Sequence, residues 1–264
     1  MMSSKRLLTA VCGALALTIV VSQSAFAAGD LYAPPGAAKL KAAALKWAGD
    51  QKGAPANSQQ QVEKIWADAD SDSSPRVLFA KVIETFAAVN PDARKLIGSL
   101  SLLNAPLTAP DAKSLAAGSS SRFYSANMRL YYARYLTQRK MYDEALAVFN
   151  GFDVKKVADP ATYLFFKSVC EHQLLKKREG LVTLNKLLKN TESVPLRYSN
   201  VASLMQYDLQ KLKDKSLKSI SLKMRDSGRR LELARGGQRV QRVQKEIIAD
   251  LDALIKKLEQ QGGS

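Results

Sequence analysis

Residues 133–149, which read ARYLTQRKMYDEALAVF, decide the fold of this chain. Large side chains in this stretch and just before it recur three and four residues apart, as on one face of an α-helix. The segment that begins at Met141 continues the pattern as a second helix. No stretch of the sequence alternates apolar and polar residues between hairpin turns, so we predict an all-α fold.

A second copy of the pattern follows after 35 residues. The shift aligns Glu144, Ala145, Leu146 and Phe149 with Glu179, Gly180, Leu181 and Leu184. A period near 34 residues belongs to the tetratricopeptide repeat. The segment Ala133–Phe149 resembles one such repeat, and the resemblance extends over residues 122–190.

The resemblance implies that a small residue of one helix faces a small residue of the next, so that two helices approach closely. Ala133 and Ala145 match these positions, and Gly180 matches the second of them. The second copy departs from the family by keeping only this position and the leucines, and Pro195–Lys211 fits a capping helix better than a further repeat. We therefore expect helical hairpins stacked in a short α-solenoid array.

The N-terminus has the layout of a secretory signal peptide. Lys5 and Arg6 precede an apolar run over 7–21, and the small-residue triplet Ala25-Phe26-Ala27 follows. The run is shorter than the ~20 residues that cross a bilayer, so we predict cleavage after residue 27 and an exported protein, periplasmic or extracellular. The cleaved chain keeps one cysteine, Cys170, and no segment apolar enough to span a membrane.

We divide the chain into four parts. Residues 1–27 are the signal peptide, 28–121 an N-terminal helical region, 122–212 the tetratricopeptide-like repeats, and 213–264 a basic C-terminal helical hairpin. Pro75, Pro91 and Pro160 each follow a Ser, Asn or Asp, which is the pattern of a capped helix start.

In the last part, the pair Gly236-Gly237 separates two helices, at about 214–234 and 238–260. Ile248, Leu251, Ile255 and Leu258 form a 3-4-3 apolar seam on the second of these helices. We expect the seam to pack onto the repeats within the chain, in preference to a second copy of the chain. The tail from Asp226 to Ile255 is also similar to a segment of exported bacterial proteins with helical repeats, a resemblance that implies no activity.

Positive charge is concentrated towards the C-terminus. The formal net charge is +16, of which the predicted signal peptide carries two positive charges. The net charge is +1 over 28–121, +6 over 122–195 and +7 over 196–264, and 211–245 holds 12 Lys or Arg against three acids. Such a stretch is either a solvated surface or a site for an anionic envelope component, lipid or polysaccharide. The candidate binding residues are Arg229, Arg230, Arg235, Arg239, Arg242 and Lys245.

Tyrosines crowd the first repeat helix. Tyr124, Tyr131, Tyr132 and Tyr135 lie at helical spacing. Aromatic side chains in this pattern fill a core and line a groove more often than they stack on sugars or bases. We therefore take these four as candidate groove residues.

The sequence contains no catalytic, cofactor-binding or metal-binding motif that we recognise. His172 is the single histidine and lies two positions from Cys170 on a helix, which does not suit a shared metal site. Cys170 is expected to be a buried thiol, and the adjacent Asp143 and Glu144 fit turn residues of the repeat.

We therefore expect a non-enzymatic interaction or scaffold module without a cofactor, which binds a protein or peptide partner in the cell envelope. The alternative is an electrostatic binder of an anionic envelope component through 211–245. A third hypothesis, an enzyme acting on cell-wall polymers, would need two carboxyl groups in one pocket. Nucleic acid is not an expected natural partner of an exported chain.

Overall fold

The computed structural model describes residues 31–51, 53–103, 106–112, 115 and 121–262. The predicted signal peptide and most of the predicted linker 116–121 lie outside these ranges. The described residues form helices and no strand, apart from one isolated bridge between Tyr32 and Thr191, and this confirms the all-α fold. The helices are α1 (Ala37–Gly49), α2 (Ser58–Ile65), α3 (Pro75–Val89), α4 (Pro91–Ser99), α5 (Arg122–Gln138), α6 (Tyr142–Phe149), α7 (Pro160–Gln173), α8 (Lys177–Lys189), α9 (Leu196–Lys211), α10 (Leu217–Glu232) and α11 (Gln238–Gly262).

The predicted helix starts are confirmed at three proline positions. The side chain of Asn90 accepts a hydrogen bond from the Ala93 amide at 2.9 Å, and Asp159 accepts one from the Thr162 amide at 2.9 Å. Ser74 caps α3 in the same way. In each case a side-chain oxygen satisfies an amide that has no partner inside the helix, and the following proline has no amide to satisfy.

One continuous core runs from the N-terminal helices into the repeats. Trp47 of α1 stacks on Tyr124 of α5 with ring centroids 5.3 Å apart, and Phe86 of α3 meets both rings edge-on. The aromatic cluster thus crosses the position where the sequence suggests a boundary between regions 28–121 and 122–212. Burying three large rings against one another joins these two regions tightly.

Each helix from α5 to α9 packs against its neighbour in the chain, and α7 also packs against α5 and α9. The turns that join α5 to α6 and α7 to α8 have the same geometry. Lys140 and Leu175, 35 residues apart, both have left-handed backbone, with φ of 59° and 56°. The next amide in each turn bonds to a carbonyl five residues back, Met141 to Leu136 at 2.9 Å and Lys176 to Glu171 at 2.8 Å. These bonds satisfy carbonyls that the helix end leaves open.

The small residues lie at helix contacts, as the repeat pattern predicts. Ala133 and Ala145 are completely buried. A Cβ atom built on Gly180 of α8 would come within 2.7 Å of the Leu209 Cδ1 atom of α9 and 3.6 Å of the Glu171 Cβ atom of α7. Glycine at this position therefore allows three successive helices to meet.

The C-terminal helices α10 and α11 form the expected antiparallel hairpin. Lys223 of α10 pairs with Asp250 of α11 at 2.9 Å and with Glu246 at 3.5 Å, while Val240 and Ile247 of α11 are buried. The turn takes its left-handed backbone from Ala234, with φ of 56°, and Gly236 and Gly237 have negative φ.

The expectation that the apolar seam packs onto the repeats is wrong for most of its residues. Ile248, Ile255 and Leu258 are each more than half exposed. The α10 contact uses a neighbouring face of α11, where Ile247 is buried between Glu246 and Asp250, the two partners of Lys223. In the part of the chain that the structure describes, no helix is both long and apolar enough to cross a membrane.

We predict that Gly180→Ala lowers the free energy of unfolding by about 1–2 kcal/mol, because the new methyl group displaces Leu209 from a close-packed contact. The matched control is Gly228→Ala in the exposed part of α10, where no atom lies within 4 Å of the new Cβ. That variant should gain up to about 1 kcal/mol, since alanine is the better helix former. Urea unfolding followed by circular dichroism measures both values, and equal effects would contradict the close approach of α8 to its neighbours.

Candidate functional site

Three arginines of the C-terminal hairpin converge on one carboxylate of the helical pair α5 and α6. Asp143 lies in the first turn of α6, where the helix dipole favours a negative charge. Arg230 Nη2 lies 2.7 Å from Asp143 Oδ2, Arg239 Nη1 lies 2.9 Å from Oδ1, and Arg229 Nη2 lies 3.6 Å from Oδ2. The adjacent Glu144 pairs with Arg235. We call these six residues the docking cluster.

Asp226 of α10 holds the two buried arginines from their own helix. Its carboxylate pairs with Arg229 and accepts a hydrogen bond from Arg230 Nε at 2.8 Å. Arg229 and Arg230 keep only 7% of their side-chain surface exposed, so their charges require these carboxylates for compensation. The docking cluster is therefore an ion network that joins the hairpin to α6, with the buried Arg229 and Arg230 at its centre and the exposed Arg239 at its edge.

Arg229 also completes the turn between α5 and α6. Its Nη1 donates to the Lys140 carbonyl oxygen at 2.6 Å, and its guanidinium lies 4.9 Å from the ring centroid of Tyr142. A positive charge at the C-terminal end of α5 satisfies an open carbonyl and opposes the negative end of the helix dipole. The hairpin thus docks on the left-handed turn at Lys140, which has the same geometry as the turn at Leu175.

The network controls ionisation at Asp143. Burial disfavours the charged form, but the hydrogen bond and charge of Arg230, with Arg239 and Arg229, lower the pKa of Asp143 below its ordinary value of 3.8. Burial likewise opposes the charge on Arg230, while Asp143 and Asp226 outweigh it and raise the pKa of that guanidinium. Both groups therefore stay charged at neutral pH.

The six candidate anion-binding residues do not share one open surface. Arg229, Arg230, Arg235 and Arg239 each pair with a carboxylate of the repeat, whereas Arg242 and Lys245 are exposed on α11. Binding of an external anion at these residues stays a prediction. Sequence reasoning assigned Asp143 and Glu144 to a repeat turn and did not foresee that the basic segment folds back onto them.

The four candidate groove tyrosines lie in different surroundings. Tyr124 is in the aromatic core, and Tyr135 is buried. Tyr132 is also buried, and its hydroxyl donates to the Pro110 carbonyl at 2.7 Å. Tyr131 is half-buried and lies in a groove on the N-terminal side of the repeats. Spacing alone did not separate Tyr131 from the others, because adjacent positions on α5 face different neighbours.

That groove lies between α3, α4 and α5 and has a volume of about 720 Å³. We call it the α3–α5 groove. Its walls are mainly apolar, and three charged side chains also line it. The apolar lining residues are Val77, Phe79, Ala80, Ile83, Ala87, Ile97 and the ring of Tyr131, and the charged ones are Arg76, Glu84 and Arg134.

Cys170 is buried, as expected, and its thiol contacts the Thr137 hydroxyl at 3.2 Å. Burial raises the pKa of Cys170 to about 12, so the thiol stays protonated and unreactive at neutral pH. His172 lies near Asp208, at 3.8 Å, and burial lowers its pKa. Within the described ranges, no group of three or more His, Cys, Asp or Glu residues is arranged to hold a metal ion.

No family model, curated protein or solved structure matches this chain. The likeness to tetratricopeptide repeats therefore rests on the residues themselves. What is established is the coarser statement that helical pairs adjacent in sequence pack against their neighbours.

We predict that Asp143→Asn lowers the free energy of unfolding by about 2–3 kcal/mol, because it leaves two buried guanidinium groups short of a counter-charge. A double-mutant cycle with Arg230→Gln should give a coupling energy above about 1 kcal/mol. The matched cycle with Arg239→Gln should give less than about 0.5 kcal/mol, since Arg239 is 60% exposed and its ion pair is screened by water. Equal couplings in the two cycles would contradict a buried docking cluster.

The pH dependence of the docking cluster follows from the lowered pKa of Asp143. A carboxyl group with a depressed pKa in the folded state contributes stability at pH values well above 3.8, and this contribution is lost as the pH falls through the depressed pKa. The difference in unfolding free energy between the wild type and Asp143→Asn should therefore be largest near pH 7 and shrink as the pH falls below 3.8. Urea midpoints measured across this range test it. A difference that does not change with pH would rule out the ion network as its source.

Proposed function

We propose that this protein is a tetratricopeptide-like interaction scaffold of the cell envelope, which binds an amphipathic helical segment of a partner protein in the α3–α5 groove. The observation that carries the proposal is the groove itself, an open apolar channel between three helices that charged residues also line. Most apolar surface elsewhere on α3 and α5 is buried in the core, whereas Val77 at this groove is 47% exposed.

The repeat assignment is supported by two independent features. Equivalent turns recur at an interval of 35 residues, with left-handed Lys140 and Leu175. Small residues at 145 and 180 lie at the equivalent position of the second helix in each pair, and both are contact points with neighbouring helices. A helical pair of this kind buries its apolar face only by stacking, and stacked pairs present grooves between their helices.

The chemistry of the groove favours a helix as its occupant. The described residues have no strand, so a partner cannot add a strand to a sheet edge there. The 15-residue α3 that forms one wall is about 22 Å long, which matches three to four turns of a bound helix. Glu84 and Arg134 of the lining would pair with charges of opposite sign on the polar face of such a segment. The cell-envelope location follows from the predicted signal peptide.

The proposal is tested by photo-crosslinking in cells that export the protein. A photoreactive amino acid replaces Ala80, which is exposed in the groove, or in the control Gln60, which is exposed on α2 outside it. We expect Ala80 to crosslink one partner protein through a segment with apolar residues three and four positions apart. Gln60 should give no such adduct.

Val77→Arg serves as the matched loss-of-binding variant. Its side chain points into the groove and is nearly half exposed, so the substitution should leave the unfolding transition unchanged. Affinity for a peptide of the crosslinked segment should fall at least about tenfold, since a charge replaces an apolar contact. If positions 80 and 60 give the same adducts, or if Val77→Arg binds the peptide as the wild type does, the groove is not the binding site.

A further inference from the structure

The hairpin of α10 and α11 has an apolar side that covers nothing in the described chain. Six large apolar side chains on it are between 51% and 70% exposed. Three lie on α10, spaced seven residues apart, and three lie near the middle and end of α11. They are Leu217, Met224, Leu231, Ile248, Ile255 and Leu258. We call this set the apolar face.

The ion pair between Lys223 and Asp250 shows that the apolar residues of α10 and those of α11 lie on the same side of the hairpin. Viewed along the axis of α10, Lys223 is rotated by about 60° to one side of the buried Ile220, and Met224 by about 40° to the other side. On α11, Asp250 and Leu251 lie on opposite sides of the buried Ile247 by the same angles. Because Lys223 contacts Asp250 on one side, Met224 and Leu251 lie together on the other.

The remaining members follow from the helical repeat. Leu217 and Leu231 are seven residues from Met224, and Leu258 is seven residues from Leu251, so each lies within about 20° of that residue. Ile248 and Ile255 lie three and four residues from Leu251 and extend the face outward. Arg230, which docks the hairpin onto Asp143, is seven residues from Lys223 and lies on its side. The apolar face therefore points away from the repeats.

We propose that the apolar face binds the same face of a second copy of this chain, so that two hairpins form an antiparallel four-helix bundle. The exposed area supports a stable dimer. Six such side chains expose on the order of 600 Å², as much as the largest apolar patch of a typical monomer. A standard interface covers roughly 800 Å² on each partner, of which about 500 Å² is apolar.

The shape of the hairpin fixes the symmetry of the pairing. A two-fold axis parallel to the helices sets the apolar stripe of α10 in one copy against that of α11 in the other, and these two helices run antiparallel. The charges beside the stripe have both signs on each helix. Lys218, Arg225 and Glu232 follow Leu217, Met224 and Leu231 on α10, and Asp252, Lys256 and Glu259 follow Leu251, Ile255 and Leu258 on α11.

The border charges also argue against an anionic membrane as the occupant. An amphipathic surface that lies on such a membrane has Lys and Arg along the polar borders of its apolar face. Here three of the six border residues, Glu232, Asp252 and Glu259, are exposed acids, so the borders carry no net positive charge that would attract lipid phosphates.

Light scattering after size exclusion and sedimentation equilibrium test the proposal with the protein purified from cells that export it. The wild type should have twice the monomer mass at micromolar concentration. Ile255→Arg should raise the dimer dissociation constant at least about 30-fold. Ala249→Arg, on the outer side of the same helix, is the matched control and should leave the constant unchanged.

A substitution on the other helix supplies a second measurement. Met224→Arg should also raise the dimer dissociation constant at least about 30-fold, because Met224 is 55% exposed on the α10 part of the apolar face. All substituted side chains are at least half-exposed or lie on the solvent side, so far-ultraviolet circular dichroism and the unfolding midpoint should stay unchanged. A wild type that is monomeric at 0.1 mM, taken here as roughly the upper limit for a weak dimer, would overturn the proposal. So would flotation of a monomeric wild type with phosphatidylglycerol vesicles that Ile255→Arg abolishes.

Discussion

The carboxylate of Asp143 sits where three parts of the molecule meet. It lies at the start of α6, beside the left-handed turn that closes α5, and it receives arginines from both ends of the loop that joins α10 to α11. Two of these arginines are almost fully buried, so they cannot leave the carboxylates without a large cost in solvation. This ion network therefore holds the C-terminal hairpin against α5 and α6, while the pair of Lys218 with Asp208 at 2.6 Å holds it against α9.

The orientation that results decides which surfaces the protein presents. Docking through Arg229 and Arg230 turns one side of α10 towards the repeats, and the pairing of Lys223 with Asp250 turns another towards α11. The remaining side of the hairpin is apolar and open to solvent. Part of the positive charge in 211–245 is neutralised by this docking, because several arginines of the segment form ion pairs with Asp143 and Glu144. The exposed cations of the segment are fewer than its composition suggests.

Much of the fold follows from local pattern. Helix starts at Ser74, Asn90 and Asp159 were predictable because a cap and a proline act within one turn. The 35-residue interval predicted small residues at helix contacts, and Ala133, Ala145 and Gly180 lie there. The hairpin was expected from its glycine pair, yet its left-handed residue is Ala234. The Arg235 amide bonds to the Arg230 carbonyl at 2.8 Å, and this helix-closing bond accompanies the left-handed backbone of Ala234.

Much less of the candidate site could be predicted from the sequence. Tyr124, Tyr131, Tyr132 and Tyr135 share one helical pattern, but which of them face the core depends on α1, α3 and α4, which no spacing within α5 describes. Arg230 and Asp143 are 87 positions apart, and nothing local to either specifies the other. Helix formation, capping and the repeat interval depend on residues close in the chain and can be read from it. The pairing of the basic hairpin with the acidic turn, and the apolar face left open by that pairing, arise only from tertiary structure, because burial and charge compensation act between segments that folding brings together.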